Sequence, residues 1–155
     1  LKRAVKFLNN VTLSVFAKAE EEVTAVRQAL IELVPLNLEE EKIIVKEEVA
    51  QGFNEQPIHI ISIMLTKQAH TNAFLKHLLS KLSPEQKELL ISQKESRLDT
   101  GFSFFIRLDK DAWLKNRAIA ITDSGRCFHL KLTLAVFPAR RPDALELVEK
   151  IFKPE

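Results

Sequence analysis

Hydrophobic and polar positions alternate with period two from Asn9 to Lys18. Val11, Leu13, Val15 and Ala17 share one side, and Thr12, Ser14, Phe16 and Lys18 the other. This pattern predicts a half-buried strand. The period then changes. Val23, Val26, Leu30 and Leu33 follow helical spacing, Glu20, Glu21 and Glu22 fall where a first helical turn favours negative charge, and Pro35 ends the run. "EKIIVKEEVA" predicts a second strand, "QGFNEQP" its turn and "IHIISIML" a third strand. The third is apolar on both sides, which places it centrally and covered on at least one side.

"KQAHTNAFLKHLLSKL" predicts a helix with Phe74, Leu75, Leu78, Leu79 and Leu82 as its apolar face. Ser83, Pro84 and Gln86 then form the signature of a capped helix start: N-cap, first-position proline and the closing residue of a capping box. From Gly101 the period returns to two. Phe102, Phe104, Ile106 and Leu108 oppose Ser103, Phe105, Arg107 and Asp109. An irregular segment with Trp113 leads to "NRAIAIT", read as a strand, and "DSGR" is read as a hairpin turn. "CFHLKLTLAVF" has the clearest alternation: Phe128, Leu130, Leu132, Leu134 and Val136 inward, Cys127, His129, Lys131, Thr133 and Ala135 outward. "PARRP" breaks it, and a last helix starts at Pro142. The order is β-α-β-β-α-α-β-β-β-α. It predicts one α+β domain over 1–155, with helices on one face of a mostly antiparallel sheet and the other face open to water or a partner.

Composition adds little to this until charge is placed along the chain. The 155 residues are 46% hydrophobic and 28% charged, ordinary for a globular protein. No apolar run approaches the roughly 20 residues needed to cross a bilayer, and the basic start "LKRAVKFLNN" is not followed by a signal core. With Cys127 as the single cysteine, a cytoplasmic protein is expected. Net charge is +2, but residues 1–18 carry +4, residues 19–96 carry −5, residues 97–141 carry +5 and the remainder −2. Two basic segments flank an acidic middle, the pattern of a basic face if folding unites them.

Candidate chemistry is sparse. Three glycines leave no phosphate-binding loop, dinucleotide fingerprint or nucleophile elbow. His59, His70, His77 and His129 are scattered, so no metal site and no cofactor are expected. Asp99, Asp109, Asp111 and Asp123 lie at strand ends and suit a metal-dependent nuclease, but each also sits where turns and caps favour aspartate, and Asp109 before "KDAW" suits an N-cap. Arg107, His129, Lys131 and Thr133 take outward strand positions. Arg140 and Arg141 precede the last helix, where an anion would be favoured. Phe105 and Phe137 lie among polar positions and suit either stacking on bases or cover by a loop or partner.

The stretches "AVKFLNNVTLSVFAKA", "LSPEQKELLISQKESRLDTGFSFFIRLDKDAWL" and "FHLKLTLAVFPARRPDALELV" resemble an archaeal family of small RNA-binding proteins described as predicted exosome subunits. Their fold is similar to that of the large-subunit ribosomal protein that binds 5S ribosomal RNA. Where that family tends to have a Tyr-Leu-Gly-like stretch, this chain has Trp113-Leu114-Lys115, which leaves the shape of that loop open. The resemblance implies a non-catalytic protein with RNA as partner, accessory to RNA degradation or ribosomal RNA processing, with exosome subunits or a second copy as further partners. The phosphate-contacting candidates are Lys2, Arg3, Lys6, Arg107, Lys131, Arg140 and Arg141. Alternatives are a protein–protein adaptor using the open sheet face and, less favoured, the metal-dependent nuclease.

Overall fold

Five strands and six α-helices follow among the described residues: β1 (Leu8–Lys18), α1 (Val23–Ile31), β2 (Val45–Gln51), β3 (Pro57–Leu65), α2 (Gln68–Lys81), α3 (Pro84–Ser92), α4 (Lys94–Arg97), β4 (Ser103–Asp109), α5 (Lys110–Asn116), β5 (Cys127–Leu134) and α6 (Arg141–Phe152). This is a computed structural model, and it describes residues 5–123 and 125–154, with Phe53 described by its backbone alone. The five strands form one open antiparallel sheet in the order β2-β3-β1-β5-β4, and with six helices the fold is α+β. β2 and β3 pair from Val45↔Ile63 to Gln51↔Pro57.

Contacts cluster into two compact units. The first comprises the described residues of 1–11, 66–106 and 131–155. α3 and α4 pack on α6 there, and the Phe104 and Phe152 rings, both fully buried, meet with centroids 5.5 Å apart. Burying a ring of this size contributes about 1.5–3 kcal/mol. Ser83 starts α3 with the expected capping box: its hydroxyl accepts from the Gln86 amide at 3.1 Å, and its amide donates to the Gln86 side chain at 2.9 Å.

The second unit comprises 12–65 and 107–130. Val15, Ala17, Leu30, Ile61, Ile63, Leu108 and Leu130 are buried there, and α1 packs on β3 and α5. Trp113 of α5 is buried, and its indole N–H donates to the Ala29 carbonyl at 2.7 Å. Ala29 belongs to the last turn of α1, whose carbonyls lack helical partners.

Three details differ from the expected pattern. "NRAIAIT" is not a strand. Arg117 takes a left-handed backbone (φ 52°) that ends α5, and the chain then touches β4 at the single bridge Leu108↔Ile121. Two backbone bonds hold it, Asp109 N–H to Ala120 O at 2.7 Å and Thr122 N–H to Arg107 O at 2.9 Å. The fifth of the six strands expected in the order β-α-β-β-α-α-β-β-β-α is thus reduced to a tether, and the segment before it, read as irregular, forms α5. The glutamates also miss the first turn of α1: Glu22 is its N-cap, and Glu21 turns to α5 instead. Cys127 is buried rather than outward. Of the expected "DSGR" turn, Ser124 lies outside the described residues, and Gly125 has φ +83°, a backbone that favours glycine.

Candidate nucleic-acid interface

In the first unit, the strands put small polar and aromatic groups beside a cation. Ser103 and Thr133 share a hydrogen bond of 3.0 Å, and the Lys131 ammonium stands 6.0 Å from the centre of the Phe105 ring. Lys6 is exposed. Lys2 and Arg3 lie outside the described residues. Phe137 is 99% exposed. Arg140 and Arg141 stand at the start of α6 with separate protein partners. Arg140 Nε donates to Asp143 at 2.9 Å, so the first turn supplies its own carboxylate. Arg141 turns to the end of α4, donating to the carbonyls of Glu95 at 2.9 Å and Leu98 at 3.3 Å.

The second unit holds a cleft of about 240 Å³ lined by Phe16, Lys18, Glu21, Lys110, Gly125, Arg126, Cys127 and His129. Phe16 is 51% exposed, and its ring centre lies 6.0 Å from that of His129. Lys110, only 3% exposed, closes the floor. Its ammonium donates to the Phe16 carbonyl and contacts both Glu21 oxygens, at 3.0 and 2.8 Å. Arg126 bonds the same carboxylate at 2.9 Å and faces Asp111 at 3.4 Å. Arg107, also in this unit, donates to the Asp123 carbonyl at 2.7 Å.

Burial pushes the Glu21 carboxyl up, but the Lys110 and Lys18 hydrogen bonds and the Lys110 and Arg126 charges outweigh it and hold the group below its ordinary value. Burial and the nearby Arg107 charge push His129 down, so it stays neutral at pH 7. Burial raises the Cys127 thiol despite the Arg107 charge, the opposite of what an activated nucleophile needs. His77, in the first unit, is likewise lowered by burial and by Lys81. A histidine whose folded value is depressed leaves the unfolded chain binding more protons, so stability falls as pH drops below 6.5 towards the depressed values. The midpoint of thermal unfolding is therefore expected to be lower at pH 5.5 than at pH 7.5, and H129Q to narrow that gap. Equal midpoints would contradict the burial of these rings.

Asp99, Asp109 and Asp111 each have protein partners. Asp99 accepts from the Gly101 and Ser103 amides at 2.9 and 2.8 Å, Asp109 caps α5 through the Ala112 amide at 2.9 Å, and Asp111 meets Arg126. Among the described residues no group of three or more His, Cys, Asp or Glu side chains could hold a metal ion. Lys18 and His129 stood on outward strand positions in the sequence, and Phe16 interrupted the polar side of β1. Nothing local to the sequence brought Lys110 and Arg126 to them.

An antiparallel open sheet carrying an aromatic–cation pair such as Lys131 and Phe105 is the kind of surface that α+β nucleic-acid binders offer to bases and phosphates. A family model described as RNA binding matches residues 10–134, and the chain belongs to that family. It is 22% identical over 143 residues to the RNA-binding protein PAB1135 of Pyrococcus abyssi, covering 92% of each chain. Among solved structures it is similar to protein AF2318 from Archaeglobus fulgidus, with a TM-score of 0.82 and 26% identity over 93% of this chain and 99% of that one. It also shares the fold of Mth689 from Methanothermobacter thermautotrophicus, with a TM-score of 0.75 and 22% identity over 95% and 99%. Among the described residues no helix is long and apolar enough to cross a membrane.

Proposed function

We propose that the protein binds RNA without catalysing its cleavage. Membership of residues 10–134 in the RNA-binding family carries this reading. The exposed Lys131 beside the half-buried Phe105 ring and the cleft around Phe16 support it, since cations neutralise phosphates and accessible rings stack on bases. The raised Cys127 thiol, the turn bonds of Asp99 and the capping of α5 by Asp109 support a binding rather than a catalytic role. Lys2, Arg3, Lys6, Arg107, Lys131, Arg140 and Arg141 contact phosphates in this reading. The family resemblance of the sequence extends it to accessory work in exosome-type RNA degradation or ribosomal RNA processing, and the single cysteine suits a cytoplasmic setting.

K131E is expected to weaken RNA binding at low salt and to reduce the slope of log K against log salt by about 0.7–0.9, the share of one phosphate contact. Fluorescence anisotropy at four salt concentrations measures it. An unchanged slope would remove Lys131 from the interface.

A second reading rests on exposed apolar side chains. Ile44, Val49 and Met64 near the β2–β3 pair are 80%, 64% and 58% exposed, and Phe137 is bare. These suit a protein partner, either a second copy or exosome subunits. Light scattering, and co-purification before and after RNase treatment, separate the readings. An RNase-resistant complex from a protein with no affinity for free RNA would favour the adaptor.

A further inference from the structure

We infer that the cleft of the second unit is a subsite for one unpaired nucleotide of single-stranded RNA, its base against Phe16 and His129 and its phosphates on Lys18 and Arg126. This deepens the RNA-binding reading and rests on it.

Size comes first. At about 240 Å³ the cleft is smaller than the roughly 300–1,000 Å³ of sites for drug-sized ligands, which suits a single base rather than a larger molecule. Its walls are matched to a base. Phe16 interrupts the polar side of a strand whose other side is buried from Val11 to Ala17, and about half of its surface meets water. An aromatic left in that position on a strand exposes a face on which a base can stack. The His129 ring, tilted 51° to it, supplies a second aromatic wall. One His129 nitrogen lies 3.4 Å from the Cys127 sulfur, which fixes the ring's orientation.

The charges complete the match. Lys18, Lys110 and Arg126 line the cleft with Glu21, and Asp111 meets Arg126 at 3.4 Å, so three cations face two carboxylates. The Glu21 carboxylate is already bonded by Lys110, Arg126 and the Lys18 amide, so it does not repel a phosphate as a bare acid would. Lys18 is exposed and Arg126 about half exposed, so both can reach a backbone at the rim. Lys110 has a different task. Buried and bonded to the Phe16 carbonyl, it fixes the strand that presents the ring. Gly125 has open space where a side chain would stand, which lets a ligand approach the main chain closely. A base paired within a duplex cannot offer its face to a ring in this way, whereas an unpaired base can.

The test uses the whole chain and a fluorescein-labelled eight-nucleotide single-stranded RNA of mixed sequence at 50 mM salt, with a second oligonucleotide carrying one 2-aminopurine. F16A is expected to weaken binding about tenfold, the usual scale for one base stacked on one ring. Its salt slope should match the wild type, because no charge is lost. F16L should fail like F16A although it keeps apolar bulk, and F16Y should restore affinity. Binding should quench 2-aminopurine in the wild type and in F16Y but not in F16A. Circular dichroism confirms that the variants fold, as expected for a half-exposed side chain. If the wild type binds the oligonucleotide and F16A and F16L bind it equally well, the nucleotide subsite is wrong and the RNA-binding reading stands. If the wild type binds no RNA at 50 mM salt, both fall together.

Discussion

Replacing Lys110 by methionine is expected to destabilise the protein by about 3–5 kcal/mol, because removing one partner of a buried ion pair leaves the other charge uncompensated. Methionine keeps the apolar stem and deletes the ammonium, which isolates the electrostatic part. Two acceptors lose their donor at once, the Phe16 carbonyl and the Glu21 carboxylate. Glu21 retains Arg126 and the Lys18 amide and is 11% exposed at its side chain, so the lower end of the range applies. The double variant K110M/E21Q is expected to recover part of the loss, since the stranded charge is then absent. Urea unfolding followed by circular dichroism measures both. A K110M midpoint within experimental error of the wild type would show that the ammonium is not held as described. RNA affinity should fall with K110M as well, since the strand that presents Phe16 loses its anchor.

Trp113→Ala is expected to cost about 3–5 kcal/mol, the range for truncating a large buried aromatic side chain. Trp113 is 4% exposed and is the only tryptophan in the chain. It joins α5 to α1 through the Ala29 carbonyl, and Arg117 reinforces the same junction. The Arg117 guanidinium stacks 5.8 Å from the indole and donates to the Trp113 and Leu114 carbonyls at 2.9 and 2.8 Å and to Glu32 at 2.9 Å. Trp113→Phe keeps most of the apolar volume and removes the indole N–H. It should cost about 1–3 kcal/mol for the stranded carbonyl. A Trp113→Ala variant losing less than 1 kcal/mol in the same urea experiment would contradict the packing of α5 on α1.

Local patterns in the sequence carried much of this fold. The alternation in β1 and β5 marks their buried sides correctly, with Val11, Leu13, Val15 and Ala17 and then Phe128, Leu130, Leu132 and Leu134 all buried. The Ser83 capping box and the Asp109 N-cap form as read, because both depend on residues three positions apart. Long-range pairing was not legible. Lys110 and Glu21 are 89 positions apart, and no local spacing signals that a glutamate at a helix entrance will turn to a lysine on another helix. "NRAIAIT" has a strand's alternation, but Arg117 redirects the backbone at its start, and pairing stops after one bridge.

The same distinction runs through the candidate interface. Outward cations such as Arg107 and Lys131 follow from strand period alone, and both are exposed. What the sequence could not show is where each guanidinium is spent. Arg140 and Arg141 are adjacent in the chain, yet one serves Asp143 and the other the end of α4. Nor could it show that Phe16 and Lys18 of β1 line one cleft with Arg126 and His129, because the neighbouring of β1 and β5 in the sheet is a property of topology.

The most direct measurement of RNA binding is a salt titration of the wild-type protein with a structured RNA, followed by fluorescence anisotropy from 50 to 200 mM potassium chloride. Binding through several phosphate contacts predicts that affinity falls steeply, on the order of a thousandfold across this range. Binding that does not change with salt, or no binding at 50 mM, would contradict it.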